Sequence, residues 1–229
     1  MVQQLMETFQ MTLRDDLIET LQSHSDKQQT CEFFIRLMSI QEIVEAVECL
    51  SAFEMYREII PLWTDDHSNY VGVYFWGPMQ YRVCYINHEE TDLSPAFRSV
   101  QSFSTLLEQH PESDWYDLPK DYPGSETNAA LIANDMVAIA ELNTALQAEE
   151  LDEEIRCQLL FSIMALTPYH KLDTLMSYMD DENMYVQERA CEILGFHKYE
   201  PAKSRLEEIA ESGSHNGKTA ARSALARMN

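Results

Sequence analysis

The last third of the sequence repeats its own apolar pattern at an offset of 34 residues: Leu172 falls on Leu206, Leu175 on Ile209, Val186 on Ala220, Ala190 on Ala224 and Leu194 on Met228. A looser copy, offset by 31, aligns Ile155, Leu159 and Ile163 with Val186, Ala190 and Leu194. Around these positions, apolar residues recur at helical spacing over residues 129–146, 151–166, 171–179, 184–194, 201–210 and 217–228. One short helix pair cannot bury its apolar face alone, whereas stacked copies can. Such a pair recurring about every 30 to 40 residues predicts an α-solenoid.

The first half reads differently. Leu5, Phe9, Leu13, Leu17 and Leu21 are spaced by four, and Phe33, Phe34, Leu37 and Ile40 follow a polar break at 23–30, which predicts two helices. Over 40–50 alternation and helical spacing compete, and both strand and helix stay open. Residues 58–63, 70–76 and 81–86 are rich in β-branched and aromatic side chains and predict strands. Turn-forming residues at 64–69 and 76–79 separate them, so the last two should pair as an antiparallel hairpin. A helix carrying Val100, Phe103, Leu106 and Leu107 should begin near Ser99 and end by Pro111. Residues 111–124 hold three of the eight prolines and break every periodicity. The expected organisation is an α+β domain over 1–110, a linker over 111–124 and an all-α repeat domain over 125–229. Trp115, Tyr116 and Tyr122 predict a linker lying against a surface.

With 16 Lys+Arg against 39 Asp+Glu, the formal charge is −23. That repels nucleic-acid phosphates and anionic lipid and favours encounter with a basic protein. The excess is uneven: residues 1–124 hold 7 basic and 21 acidic residues, residues 183–229 hold 7 and 6. No apolar run approaches the ~20 residues of a membrane span, and residues 1–10 lack a secretory pattern, so a cytoplasmic, unprocessed protein is expected. Cys31, Cys49, Cys84, Cys157 and Cys191 form an odd set without CxxC, which predicts buried thiols in a reducing compartment. Only six glycines are present, and neither GxGxxG nor GxxxxGK[ST] occurs, which removes the familiar nucleotide-binding loops.

Catalytic and metal motifs are equally sparse. His88, Glu89, Glu90 and Asp92 are the densest run of potential ligands, yet neighbours at a strand exit point to opposite faces and the spacing fits no zinc pattern. Asp65-Asp66-His67 reads as a solvated turn capping a strand. There is no GxSxG, and no cysteine has a recognisable histidine partner motif. The run Glu149-Glu150-Leu151-Asp152-Glu153-Glu154 places five carboxylates at a helix start, complementing the dipole. Trp63, Tyr70, Tyr74 and Trp76 alternate through the predicted sheet, three of them toward one side, where they form core or, if that face is open, anchors for a protein partner. No cofactor, metal or catalytic residue is expected.

Two stretches resemble known families. Ile59-Ile60-Pro61-Leu62-Trp63, the turn 65–70, strands 70–75 and 82–86 ending in His88-Glu89-Glu90, and Phe97-Arg98-Ser99-Val100-Gln101-Ser102-Phe103 before a helix resemble, over about 54–110, the core of the SUKH superfamily of immunity-type domains. The Asn-Gly-Gly turn often found ahead of that core has no counterpart before residue 52. Residues 180–195, centred on Val186, Ala190, Leu194 and Gly195, resemble the heart of a HEAT-like repeat, with Gln187 where arginine is usual; the likeness extends over about 149–229. The SUKH resemblance implies a non-catalytic bacterial immunity protein that neutralises a cognate toxin, commonly a nuclease, and such enzymes are often basic. The alternative is a non-catalytic interaction scaffold or adaptor. The expected partner-binding residues are Asp65, Asp66, Tyr70, Trp76, Glu89, Glu90 and Asp92, with the acidic helix start at 149–154 next.

Overall fold

The computed structural model describes residues 1–89 and 92–228. The chain divides into two compact units, Met1–Asp121 and Tyr122–Asn229.

The first unit is α+β. Its elements run α1 (Val2–Thr8), α2 (Asp15–Gln28), β1 (Arg36–Leu37), α3 (Ile40–Leu50), β2 (Ile59–Thr64), β3 (Tyr70–Tyr74), β4 (Val83–Ile86) and α4 (Val100–Gln109). The strands form one antiparallel sheet in the order β1-β2-β3-β4, and β3 and β4 make the expected hairpin.

Three helical expectations need correction or completion. The first predicted helix is two, because the chain reverses at Gln10 with φ 51° before α2 starts. Phe33 to Leu37 are not helical: Arg36 and Leu37 pair with Thr64 and Trp63, and the Gln28 side chain bonds both the N–H (2.7 Å) and the C=O (2.8 Å) of Leu37. A spacing of three and four cannot reveal an edge strand held by such distant partners. Over 40–50 the ambiguity resolves to helix, where Ser39 and Glu42 close a reciprocal capping box.

Helices cover one face of the sheet. A bulge between Pro61 and Trp63 breaks the β2–β3 register, and both Leu62 and Trp63 reach the core beside Val71, Val73, Leu17, Leu21, Phe103 and Leu107. Ile59, Tyr74, Cys84, Ile86 and Leu93 are buried outside that cluster, and the Tyr74 hydroxyl donates to the Leu93 carbonyl at 2.7 Å. A Cβ on Gly72 would crowd Ile59, Ile86 and Cys84, so this position leaves room for nothing larger than hydrogen. Residues 111–121, expected as linker, pack within the first unit. Trp115 and Leu118 join its core, the Asp121 amide donates to Ala96 O, and its carboxylate accepts from Arg98 N–H and Ser102 Oγ at the start of α4. Lys120 lies over the Trp115 ring, and burial lowers its pKa to about 8.

His24 is fully buried on α2 against Phe33 and Trp63, with Nδ1 3.1 Å from Glu108 Oε1. Burial outweighs Glu108 and, with a smaller push from Lys27, holds its pKa below the ordinary value. The unfolded chain therefore takes up this proton first as pH falls. The stabilisation is complete above about pH 6.5 and is lost as pH drops toward the folded-state pKa, with a slope of at most about 1.4 kcal/mol per pH unit. Urea titrations between pH 7.5 and 5 should show this decline in the parent and a flatter profile in His24→Leu. Equal slopes would remove His24 as the cause.

In the second unit every described regular element is helical: α5 (Ala129–Ala145), α6 (Glu153–Leu166), a 3-10 segment (Tyr169–Asp180), α7 (Met184–Phe196), a short 3-10 turn (Glu200–Ala202), α8 (Lys203–Ser212) and α9 (His215–Met228). The stretch predicted as a helix over 171–179 is wound tighter than an α-helix. Thr174 and Ser177 hydroxyls bond the carbonyls three residues back, and a threefold turn lines up Leu172 and Leu175 for burial. Four of the five residue pairs related by the 34-residue offset are buried in both copies, and only Met228 is partly exposed. Gly195 lies against Ala224, where a Cβ would overlap the α9 backbone, so α7 and α9 meet at close range. Gln187 is buried and bridges three segments: Nε2 donates to Met179 O (2.8 Å), and Oε1 accepts from Ser214 N–H (2.9 Å) and Oγ (2.7 Å).

The expectation of five buried thiols holds for three. Cys84, Cys157 and Cys191 are buried, and burial raises the Cys157 and Cys191 pKa values to about 11 and 12. Cys31 and Cys49 are exposed, one in the turn after α2 and the other on the outer side of α3.

Candidate protein-docking surface

The β3–β4 register places Tyr70 opposite Ile86, so the turn before β3 and the exit of β4 meet at one end of the sheet. Asp65 organises this end. Its Oδ1 accepts the His67 amide (2.8 Å) and the Asn69 amide (3.3 Å), and its Oδ2 accepts Asn69 Nδ2 (2.7 Å) and the Tyr85 hydroxyl (3.4 Å). Burial alone would raise the Asp65 pKa, but these hydrogen bonds prevail and hold it low. Asn69 Oδ1 in turn accepts the His88 amide (3.2 Å) and lies 2.8 Å from His88 Nδ1, joining the two loops.

Asp66 is engaged differently. Arg36 donates Nε and Nη2 to its two oxygens at 2.9 and 2.6 Å and also reaches Glu42 at 2.7 Å. The Arg36 hydrogen bonds lower the Glu42 pKa to about 2. Both aspartates therefore hold the turn together. Glu89 is outward, with its side chain 77% exposed and 3.7 Å from His88 Nε2.

The remaining expected residues separate. Tyr70 is half-buried, and burial with nearby Cys49 and Asp65 raises its pKa. Trp76 is exposed but stands beyond the opposite end of β3, about 20 Å away at ~3.3 Å per extended residue, so it is not the apolar neighbour of Tyr70. Asp92 caps the loop that covers Tyr74, accepting the Ser94 amide at 2.9 Å. Trp63 and Tyr74 are buried and do not form an open aromatic face. Glu90 lies outside the described residues.

Two exposed rings flank the Asp65 turn where Trp76 was expected. Phe34, 43% exposed, lies 6.4 Å from the His67 ring, and its amide bonds Pro111 O at 2.7 Å. Tyr116, 68% exposed, packs edge-on to Tyr85 at 5.9 Å, and its hydroxyl accepts from Asn87 Nδ2 at 3.0 Å. Exposed Glu32 lies two residues before Phe34, exposed Asp117 follows Tyr116, and exposed Glu112 follows Pro111, whose carbonyl accepts the Phe34 amide. Phe34 escaped notice because its segment reads as helix. The aromatic character of 111–124 was the available signal for Tyr116.

Among the described residues no three His, Cys, Asp or Glu side chains gather into a metal-binding group, and no helix is long and apolar enough to cross a membrane. At the acidic run 149–154, Asp152 caps α6 through the Glu154 and Ile155 amides, while Glu153 contacts Arg156 and Asn183. This is a helix start engaged within its own unit. Compared with protein-family models, curated proteins and solved structures, the chain matches none.

Proposed function

We propose that the chain is a non-catalytic, cytoplasmic bacterial immunity protein of the SUKH type carrying HEAT-like repeats, and that it neutralises a basic toxin, most readily a nuclease, by occupying its active-site surface. The observation that carries this reading is the acidic end of the first unit's sheet, where Asp65, Asp66 and Glu89 lie between the exposed rings of Phe34 and Tyr116. Aromatic anchors within a polar rim are the usual anatomy of a protein-binding patch. The first unit's charge excess supports the same polarity of partner, since a cleft that grips phosphates must be basic. Both units contribute to the reading: the buried positions related by the 34-residue offset support the repeat assignment of the second.

Co-expression with a toxin domain encoded by an adjoining reading frame is the direct test. Protection of the cells and a complex with the purified domain are expected. The association rate should fall as salt rises, because exposed charges lose reach as the Debye length shrinks from about 10 Å at 0.1 M to about 3 Å at 1 M. The variant Phe34→Ser/Tyr116→Ser/Glu89→Gln should melt like the parent, yet bind at least tenfold more weakly. A salt-independent on-rate, or full protection by that triple variant, would overturn the placement. Asp65 and Asp66 are poor probes, because replacing them opens the turn itself.

A further inference from the structure

The turn that carries Tyr116 to the docking end of the first unit is held by side chains. Among the described residues no backbone-to-backbone hydrogen bond involves residues 114–120. Asp114 closes the turn on one side, its Oδ1 accepting the Tyr116 and Asp117 amides at 2.7 and 3.1 Å. Lys120 closes it on the other: Nζ donates to the carbonyls of Trp115 and Leu118, the latter at 2.7 Å. Backbone polar groups withdrawn from water need partners, and here one ammonium serves the two carbonyls that bracket Tyr116 and Asp117.

The same ammonium lies 4.3 Å from the centre of the Trp115 ring and 5.6 Å from that of Phe97. Trp115 stacks on Tyr85 at 4.7 Å with the ring planes 7° apart, Tyr116 meets Tyr85 edge-on at 5.9 Å, and the Tyr85 hydroxyl donates to Asp65. Direct contacts therefore run from Lys120 to the Asp65 turn. Three N–H donors and a full positive charge suit two carbonyls and a ring face, whereas a neutral amine keeps two donors and loses the attraction to the ring. Burial works against the charge and lowers the Lys120 pKa to about 8, while Asp114 and Asp117 on the same turn favour it. The grip is complete well below that pH and is lost as pH rises through it.

We propose that Lys120 is a positioning residue of the docking surface: by holding the Trp115 and Leu118 carbonyls it fixes the turn that presents Tyr116 beside Asp65, and its ammonium thereby tunes how tightly the basic partner binds. The inference rests on the docking reading above and adds to it a residue that acts through Tyr116. Tyr116 is 68% exposed and its hydroxyl meets Asn87 alone among the polar contacts described above, so the place of its ring follows from the turn beneath it. A cation held in this way contributes to an acidic surface without opposing it, because its charge is spent on carbonyls and rings within the unit.

The test has one arm without a partner and one with it. In the full chain alone, the aromatic carbon-bound proton signals of Trp115 and Tyr116 should move together between pH 6.5 and 9, with a midpoint near the Lys120 pKa of about 8. Lys120→Arg stays charged throughout and should show no such step. Lys120→Met, which keeps length but no charge, should at pH 7 place both signals where the parent has them at pH 9, and should bind the toxin domain of the adjoining reading frame about fivefold more weakly, the worth of a hydrogen bond to a charged group. Where Lys120→Met does not fold, the comparison of parent with Lys120→Arg at pH 7 and 9 against the same toxin domain decides: the parent should lose affinity relative to the arginine variant. Signals that stay in place in the parent, or move equally in Lys120→Arg, would remove Lys120 from control of the turn whether or not the partner binds. A step in the signals with unchanged binding would instead remove Tyr116 from the docking surface, and with it the role proposed for Lys120.

Discussion

Trp63→Ala is expected to cost the first unit about 3 to 5 kcal/mol, the range for removing a fully buried large ring. Trp63 has no exposed surface, stands edge-on to Phe103 at 5.0 Å and lies 6.1 Å from His24, at the point where sheet, α2 and α4 converge. Urea unfolding followed by far-UV circular dichroism should show a midpoint far below the parent. A loss below about 1 kcal/mol would mean that the core collapses to fill the void. Trp76 and Trp115 remain in the variant to report on the same unit by fluorescence.

Leu194→Ala should cost the second unit about 2 to 5 kcal/mol. Leu194 is fully buried on α7, one residue from the close contact of Gly195 with Ala224, so the helices around it are held at a separation that resists collapse. All three tryptophans belong to the first unit, whereas helix is present in both, and the two signals separate the units. A fall in the circular-dichroism midpoint with an unchanged tryptophan transition is expected if the units unfold separately. Matching shifts of both signals would show one cooperative block.

Much of the secondary structure was legible because it depends on side chains near in sequence. The strands at Ile59–Thr64, Tyr70–Tyr74 and Val83–Ile86 follow β-branched and aromatic runs with turn residues between them. Asn128, Asp152 and Asn183 mark the starts of α5, α6 and α7, each accepting from amides two and three residues on. The candidate site was legible only in part. The Asp65 turn and the β4 exit do meet, but Trp76 leaves the group, and Phe34 and Tyr116 enter it from segments read as helix and linker. Nothing local distinguishes an aspartate tied up by Arg36 from one free to bind a partner, since that difference lies in a hydrogen bond across thirty residues.

The sequence by itself determined the charge imbalance, the change from strand to helical periodicity and the positions that recur every 34 residues, because composition and burial period are properties of neighbouring side chains. Tertiary structure alone decided that Arg36 and Leu37 pair with β2, that residues 111–121 pack within the first unit with Trp115 in its core, and that Gln187 bridges Met179 to Ser214. Each of these depends on a partner distant in the chain, and a short segment takes the conformation that satisfies its backbone and buried polar groups against whatever packs on it.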